Sequence, residues 1–185
     1  MAEQFEFEVV FALPEGDHDP FKLSDCVFEA GFEDALVGTG IAGLVAVELE
    51  AEGDDAESAI LAVAAMLLKH FPAGTQLREV RPDLVSLADV AKKLHVKRQA
   101  LQQREMPPPS QGGLYRVDEL ADSLEKAMAP KEGQRRPRFD LEPASNWLRA
   151  GRGARRINAK LTINALDPFS LNMNHRDEPE ERRAG

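Results

Sequence analysis

Side chains able to act on a bound molecule are concentrated in one short stretch. Lys97, Arg98, Gln99, Gln102 and Gln103 fall on the outer face of a helix that the apolar spacing places from about Lys97 to Glu105. These types suit the edges of stacked base pairs, since a guanidinium takes guanine bidentately and a carboxamide takes adenine. Lys92, Lys93 and Arg104 flank that face, where cations meet phosphate oxygens, and Arg116 follows a glycine-rich turn from which it reaches the backbone or the minor groove. A solvated basic helix has the same composition, so the elements around these residues decide between the two readings.

Other chemistry finds little support. Gly38-Thr39-Gly40-Ile41-Ala42-Gly43 has dinucleotide-binding spacing by letters, but it lies between two short strands and lacks the following helix that would hold a pyrophosphate. Asp17-His18-Asp19 diverge in a strand-to-helix loop, with no second pair of ligands nearby. Cys26, the one cysteine, sits among Leu23, Val27 and Phe28 as a small apolar residue. No nucleophile, base and orienting group assemble. The expectation is a protein that is not an enzyme and carries no metal and no cofactor.

The elements that must position the basic face begin near Val85. Leu87, Val90, Ala91 and Leu94 share one side of a helix, with Asp89, Lys92 and Lys93 on the other. Ala91 is small where a second helix passes close. His95, four residues on, occupies the turn, Val96 packs beneath it, and Leu101 fills the angle between the helices. The stretch Leu87-Ala-Asp-Val-Ala-Lys-Lys-Leu-His-Val-Lys-Arg-Gln-Ala-Leu101 resembles the winged helix-turn-helix of MerR-like regulators and phage excisionases. Met106-Pro107-Pro108-Pro109 then breaks the helix, Gln111-Gly112-Gly113 turns a hairpin wing, Leu114 to Val117 returns from it, and Asp118 to Leu124 reads as a closing helix. The resemblance covers roughly forty residues and implies a regulator that binds double-stranded DNA, most simply a repressor. His95 departs from the glycine the family prefers at the turn, and Lys97 replaces the usual Ser/Thr helix cap.

Residues 1–84 have a different character, with 18 acids against 4 bases, a balance of −14, whereas 85–185 carry +5. Phosphate repels the first part and attracts the second. In the first part Phe5, Phe7, Val9, Phe11 and Leu13 alternate with polar residues as a half-buried strand does. Asp19-Pro20 opens a helix through Leu23 and Val27 that Gly31 ends. Ala35–Val37 and Leu44–Leu49 read as strands, Asp54-Asp55-Ala56-Glu57 as the start of a helix buried through Ile60, Val63, Ala64, Leu67 and Leu68, and Gln76–Arg81 as a last strand. The order β-α-β-β-α-β predicts a ferredoxin-like sandwich within an α+β protein. Three parts are therefore expected: residues 1–84 as a dimerisation or sensing domain that folds alone, residues 85–129 as the winged motif, and residues 130–185 as a basic, partly disordered extension.

In that extension, residues 131–138 read as a linker or basic arm, 142–150 as a short helix anchored by Trp147 and Leu148, and Arg176 to Gly185 as a disordered tail. Arg149, Arg152, Arg155, Arg156 and Lys160, interrupted by Gly151 and Gly153, suit phosphate or an acidic partner, including this chain's own acidic half. A homodimer is expected because one short motif rarely supplies enough affinity. The alternative is an antitoxin or phage-type adaptor that grips a protein partner through its C-terminal segment. The longest apolar run, Ala59 to Leu68, is half a membrane span, and the start lacks a signal-peptide pattern, so a cytoplasmic protein with no membrane contact is expected.

Overall fold

The computed structural model describes residues 2–129, 133 and 139–174. The chain runs β1 (Glu3–Ala12), α1 (Pro20–Glu29), β2 (Leu36–Gly38), β3 (Leu44–Gly53), α2 (Ala56–His70) and β4 (Gln76–Arg81), then β5 (Leu84–Val85), α3 (Leu87–Lys93), α4 (Arg98–Gln102), β6 (Tyr115–Arg116), α5 (Val117–Met128) and α6 (Ser145–Thr162). It is a mixed α+β protein.

β1 to β4 form one antiparallel sheet in the order β2-β3-β1-β4. The alternation in β1 sends Phe5, Phe7, Val9 and Phe11 into the core, and leaves Glu6 and Glu8 partly exposed on the opposite face. α1 starts where Asp19 accepts a hydrogen bond from the Phe21 N–H at 2.9 Å, with Pro20 in the first turn. α2 starts likewise at Asp55, which accepts from the Ser58 N–H at 2.9 Å, and it buries Ile60, Val63, Ala64 and Leu67.

The last long helix departs from expectation. α6 runs from Ser145 to Thr162, past the short helix expected at 142–150, and Gly151 and Gly153 lie inside it as buried residues. A Cβ on Gly153 would stand 2.7 Å from both the Ala56 Cβ and the Glu57 backbone nitrogen. One on Gly151 would stand 1.7 Å from the Val117 Cγ1. The two glycines therefore let α6 press against the first turns of α2 and α5, and that contact outweighs their weak helix propensity.

α6 belongs to two cores. Its Trp147 and Leu148 pack with Val90, Leu101, Val117, Leu120 and Leu124, whereas Ala150, Ala154, Ile157 and the following Leu166 pack with the sheet and α2. The core of the sheet is not closed at residue 84, and residues 145–166 are an integral part of the fold instead of a basic extension. The expected arm at 131–138, apart from residue 133, and the expected tail at 176–185 lie outside the described residues.

The wing also differs. β6 pairs with β5, matching Leu84 to Arg116 and Val85 to Tyr115, so it does not return along a hairpin of its own. Three consecutive prolines, Pro107 to Pro109, carry no N–H for a ladder, which leaves β6 to pair on the other side of the motif. Gln111–Gly113 makes a 3-10 turn, closed by a 2.6 Å bond from the Ser110 N–H to the Leu114 carbonyl.

Candidate nucleic-acid interface

α3 is fixed at its start by a reciprocal cap. The Ser86 hydroxyl accepts from the Asp89 N–H at 3.2 Å, and the Asp89 carboxylate accepts from the Ser86 N–H at 2.9 Å. Leu87, Val90 and Ala91 are buried along the helix. At its end His95 takes φ 54°, and the Val96 N–H returns to the Ala91 carbonyl at 2.9 Å. That left-handed residue turns the chain, and histidine tolerates it at some cost relative to glycine. α4 then begins at Lys97, whose extended backbone serves as cap without a side-chain bond, and Leu101 is fully buried between the helices.

This geometry decides where the sequence-predicted residues stand. Lys97, Arg98, Gln99, Gln102 and Gln103 are all exposed, as is Lys92. α4 ends at Gln102, short of Glu105. Arg104 is half-buried, and its Nε is enclosed with no hydrogen-bond partner among the described residues. Arg116 is half-buried at the junction of β6 and α5.

Lys93 stands apart from the group. Its ammonium donates to Glu6 of β1 and, at 3.2 Å, to Glu48 of β3, and it lies 5.8 Å from the centre of the Trp147 ring. It is therefore not free to meet phosphate. The cause is the outer face of the sheet, where Glu6 stands directly opposite Glu50 and Glu8 opposite Glu48. Like charges across an antiparallel pair repel, so the face draws in cations. Arg81 answers Glu8 at 2.8 Å and Glu79 at 3.1 Å. Burial acts to lower the Lys93 pKa, but its bonds to Glu6 and Glu48 and their charges prevail and hold it above the ordinary value. Sequence reasoning missed this pairing. The signal lay in the alternating glutamates of β1 and β3, which a solvated face alone leaves unneutralised.

Between the sheet and α3 lies a cleft of about 1000 Å³, lined by Glu6, Glu48, Lys92, Lys93, His95 and Trp147 among others.

Four of the five cations of α6 stand near acids of this chain, whereas Arg149 bonds only Ser145 and Asn146 of its own helix. Arg155 donates to Asp118 at 3.1 and 2.9 Å and to Glu119 at 3.3 Å. Lys160 and Arg156 both meet Glu57, and Arg152 stands 3.8 Å from Asp122. Glu57, Asp118 and Glu119 occupy the first turns of α2 and α5, where acids are favoured by the helix dipole. Acids of this chain thus hold Arg155 and Lys160, while Arg149, Arg152 and Arg156 remain exposed.

The remaining sequence candidates are placed as follows. The Gly38–Gly43 segment joins β2 to β3. The His18 Nε2 lies 2.8 Å from the Pro14 carbonyl, and among the described residues no group of His, Cys, Asp and Glu is arranged to hold a metal ion. Burial pushes the Cys26 thiol up, with Glu29 and Asp25 adding to the rise, which opposes thiolate chemistry. Among the described residues no helix is long and apolar enough to cross a membrane. No family model, curated protein or solved structure matches this chain.

Proposed function

We propose that this chain is a sequence-specific DNA-binding transcriptional regulator in which α3 and α4 form a helix-turn-helix and α4 enters the major groove. The observation that carries it is the set Lys97, Arg98, Gln99, Gln102 and Gln103, all exposed on or capping a short helix held by the buried Leu101. The left-handed turn at His95 and the small, buried Ala91 support two helices set at an angle, as the motif requires. The proline-rich stretch and the turn at Gln111–Gly113 serve as the wing, with Lys92 and Arg116 toward phosphate. The strand order β2-β3-β1-β4 with α1 and α2 supports reading the first part as a ferredoxin-like sandwich. Two copies act together, and occupying the operator suffices for repression.

Duplexes selected from a random pool by the purified protein test this reading. A common sequence should emerge, and Arg98→Ala should cost about 1–3 kcal/mol on it while relaxing preference at one base pair. Selection of no sequence, or equal weakening on selected and scrambled duplexes in fluorescence anisotropy, removes the proposal.

A further inference from the structure

α1 is amphipathic in an unusual way. Leu23 and Val27 are buried against the sheet, yet Phe21 is 82% and Phe28 60% exposed. The two rings stand seven residues apart, which is two helical turns, so they share one outward stripe with Ser24 and Asp25 between them. Single exposed apolar side chains are ordinary, but a paired aromatic stripe on one short helix is the composition of a contact surface.

The charges beside the stripe say what fits it. Lys22 and Glu29 each follow one of the phenylalanines, so both lie on the same flank of α1. Their separation, about 10 Å along the axis, keeps them from pairing with each other. In an antiparallel helix pair about a two-fold axis, like flanks face each other. Phe21 then stands level with Phe28 of the second copy, and Lys22 falls within about 3 Å along the axis of the second copy's Glu29. The same pairing brings the two Asp25 side chains near the axis, each within about 3 Å along it of the second copy's Lys22. A parallel pair about a two-fold axis would set this flank against the opposite one and give Lys22 neither partner.

We infer that α1 is a self-association surface on which a second copy of this chain packs its own α1 antiparallel, centred between Ser24 and Asp25. α2 lies between α1 and α6 in the helix layer, so the surface is remote from the contacts that fix α6 to the basic motif. The inference rests on the regulator reading only for the need of a second reader. The antiparallel contact itself rests on the two phenylalanines and their flanking charges.

Sedimentation velocity of the full chain at micromolar concentrations tests it. The wild type should be a dimer whose melting temperature rises with protein concentration, and Phe21→Ser with Phe28→Ser should be a monomer that still melts cooperatively, at a temperature independent of concentration. Lys22→Glu and Glu29→Lys should each weaken dimerisation about tenfold or more, and the two together should restore it, because the pairing crosses the axis. A monomeric wild type, a dimer that survives loss of both rings, or a double charge reversal that fails to rescue overturns the inference. Duplex selection with the same proteins separates the two readings. A dimer without sequence preference sinks the regulator and leaves the surface standing, and a monomeric wild type that selects a sequence does the reverse.

Discussion

The side-chain amide of Asn158 pairs with the backbone of Val80 in both directions. Its Oδ1 accepts from the Val80 N–H at 2.8 Å, and its Nδ2 donates to the Val80 carbonyl at 2.8 Å and to Asp83 at 3.0 Å. β4 is an edge strand, and one helical side chain here supplies what a fifth strand would. Replacing Asn158 by Leu should leave that N–H and carbonyl unmet and cost about 2 kcal/mol, read as a lower midpoint in urea. An unchanged midpoint would show that water meets Val80 equally well.

Gly153→Ala should reverse the usual helix rule. In an exposed helix that change stabilises, but here the added methyl meets the Ala56 Cβ and the Glu57 nitrogen at 2.7 Å. Backbone gives way poorly, so destabilisation of about 1–3 kcal/mol is expected in thermal and chemical melts. A gain in stability would mean that α6 does not press on α2.

Lys93→Met should act on stability, and Lys92→Ala on DNA. Removing the Lys93 ammonium leaves Glu6 and Glu48 facing each other's neighbours unscreened, at a cost on the order of 1 kcal/mol. The folded pKa of Lys93 is raised, so its contribution is complete below the ordinary lysine range and is lost as pH rises through the raised value. The stability gap between wild type and variant should therefore be level at neutral pH and close in strong alkali. On duplex DNA the salt dependence should flatten for Lys92→Ala and stay unchanged for Lys93→Met. The opposite pattern would place Lys93 on the phosphates.

His95→Gly should stabilise the motif by about 0.5–1 kcal/mol, since glycine takes φ 54° without steric cost. The measurement is a urea midpoint beside that of His95→Ala, which should fall no higher than the wild type.

Local features of the fold were legible because their causes are local. The alternation in β1, the caps at Asp19 and Asp55, and the turn at His95 are written in neighbouring residues. What escaped has causes remote in sequence. Gly151 and Gly153 looked like interruptions because the helix starts they fit against, at Val117 and Ala56, lie elsewhere in the chain. β6 pairs with β5 across the whole motif, and Lys93 answers glutamates that are 87 and 45 residues away. In the candidate site the exposed face of α4 followed from the helical period, but the loss of Lys93 to the sheet did not.

Because α6 fills a place in the core of the sheet, synthesis order matters. The ribosome releases β1 to β4 first, and the residues that cover Val80 and complete the packing of α2 emerge only with Ala150 to Leu166. At about 5–20 residues per second, that delay is on the order of ten seconds. Through that interval the nascent sheet presents an uncovered apolar surface and an unpaired β4 edge, the features that chaperones hold. A chain stalled before Ser145 is thus a substrate for quality control, and premature termination should yield degradation in place of a truncated protein.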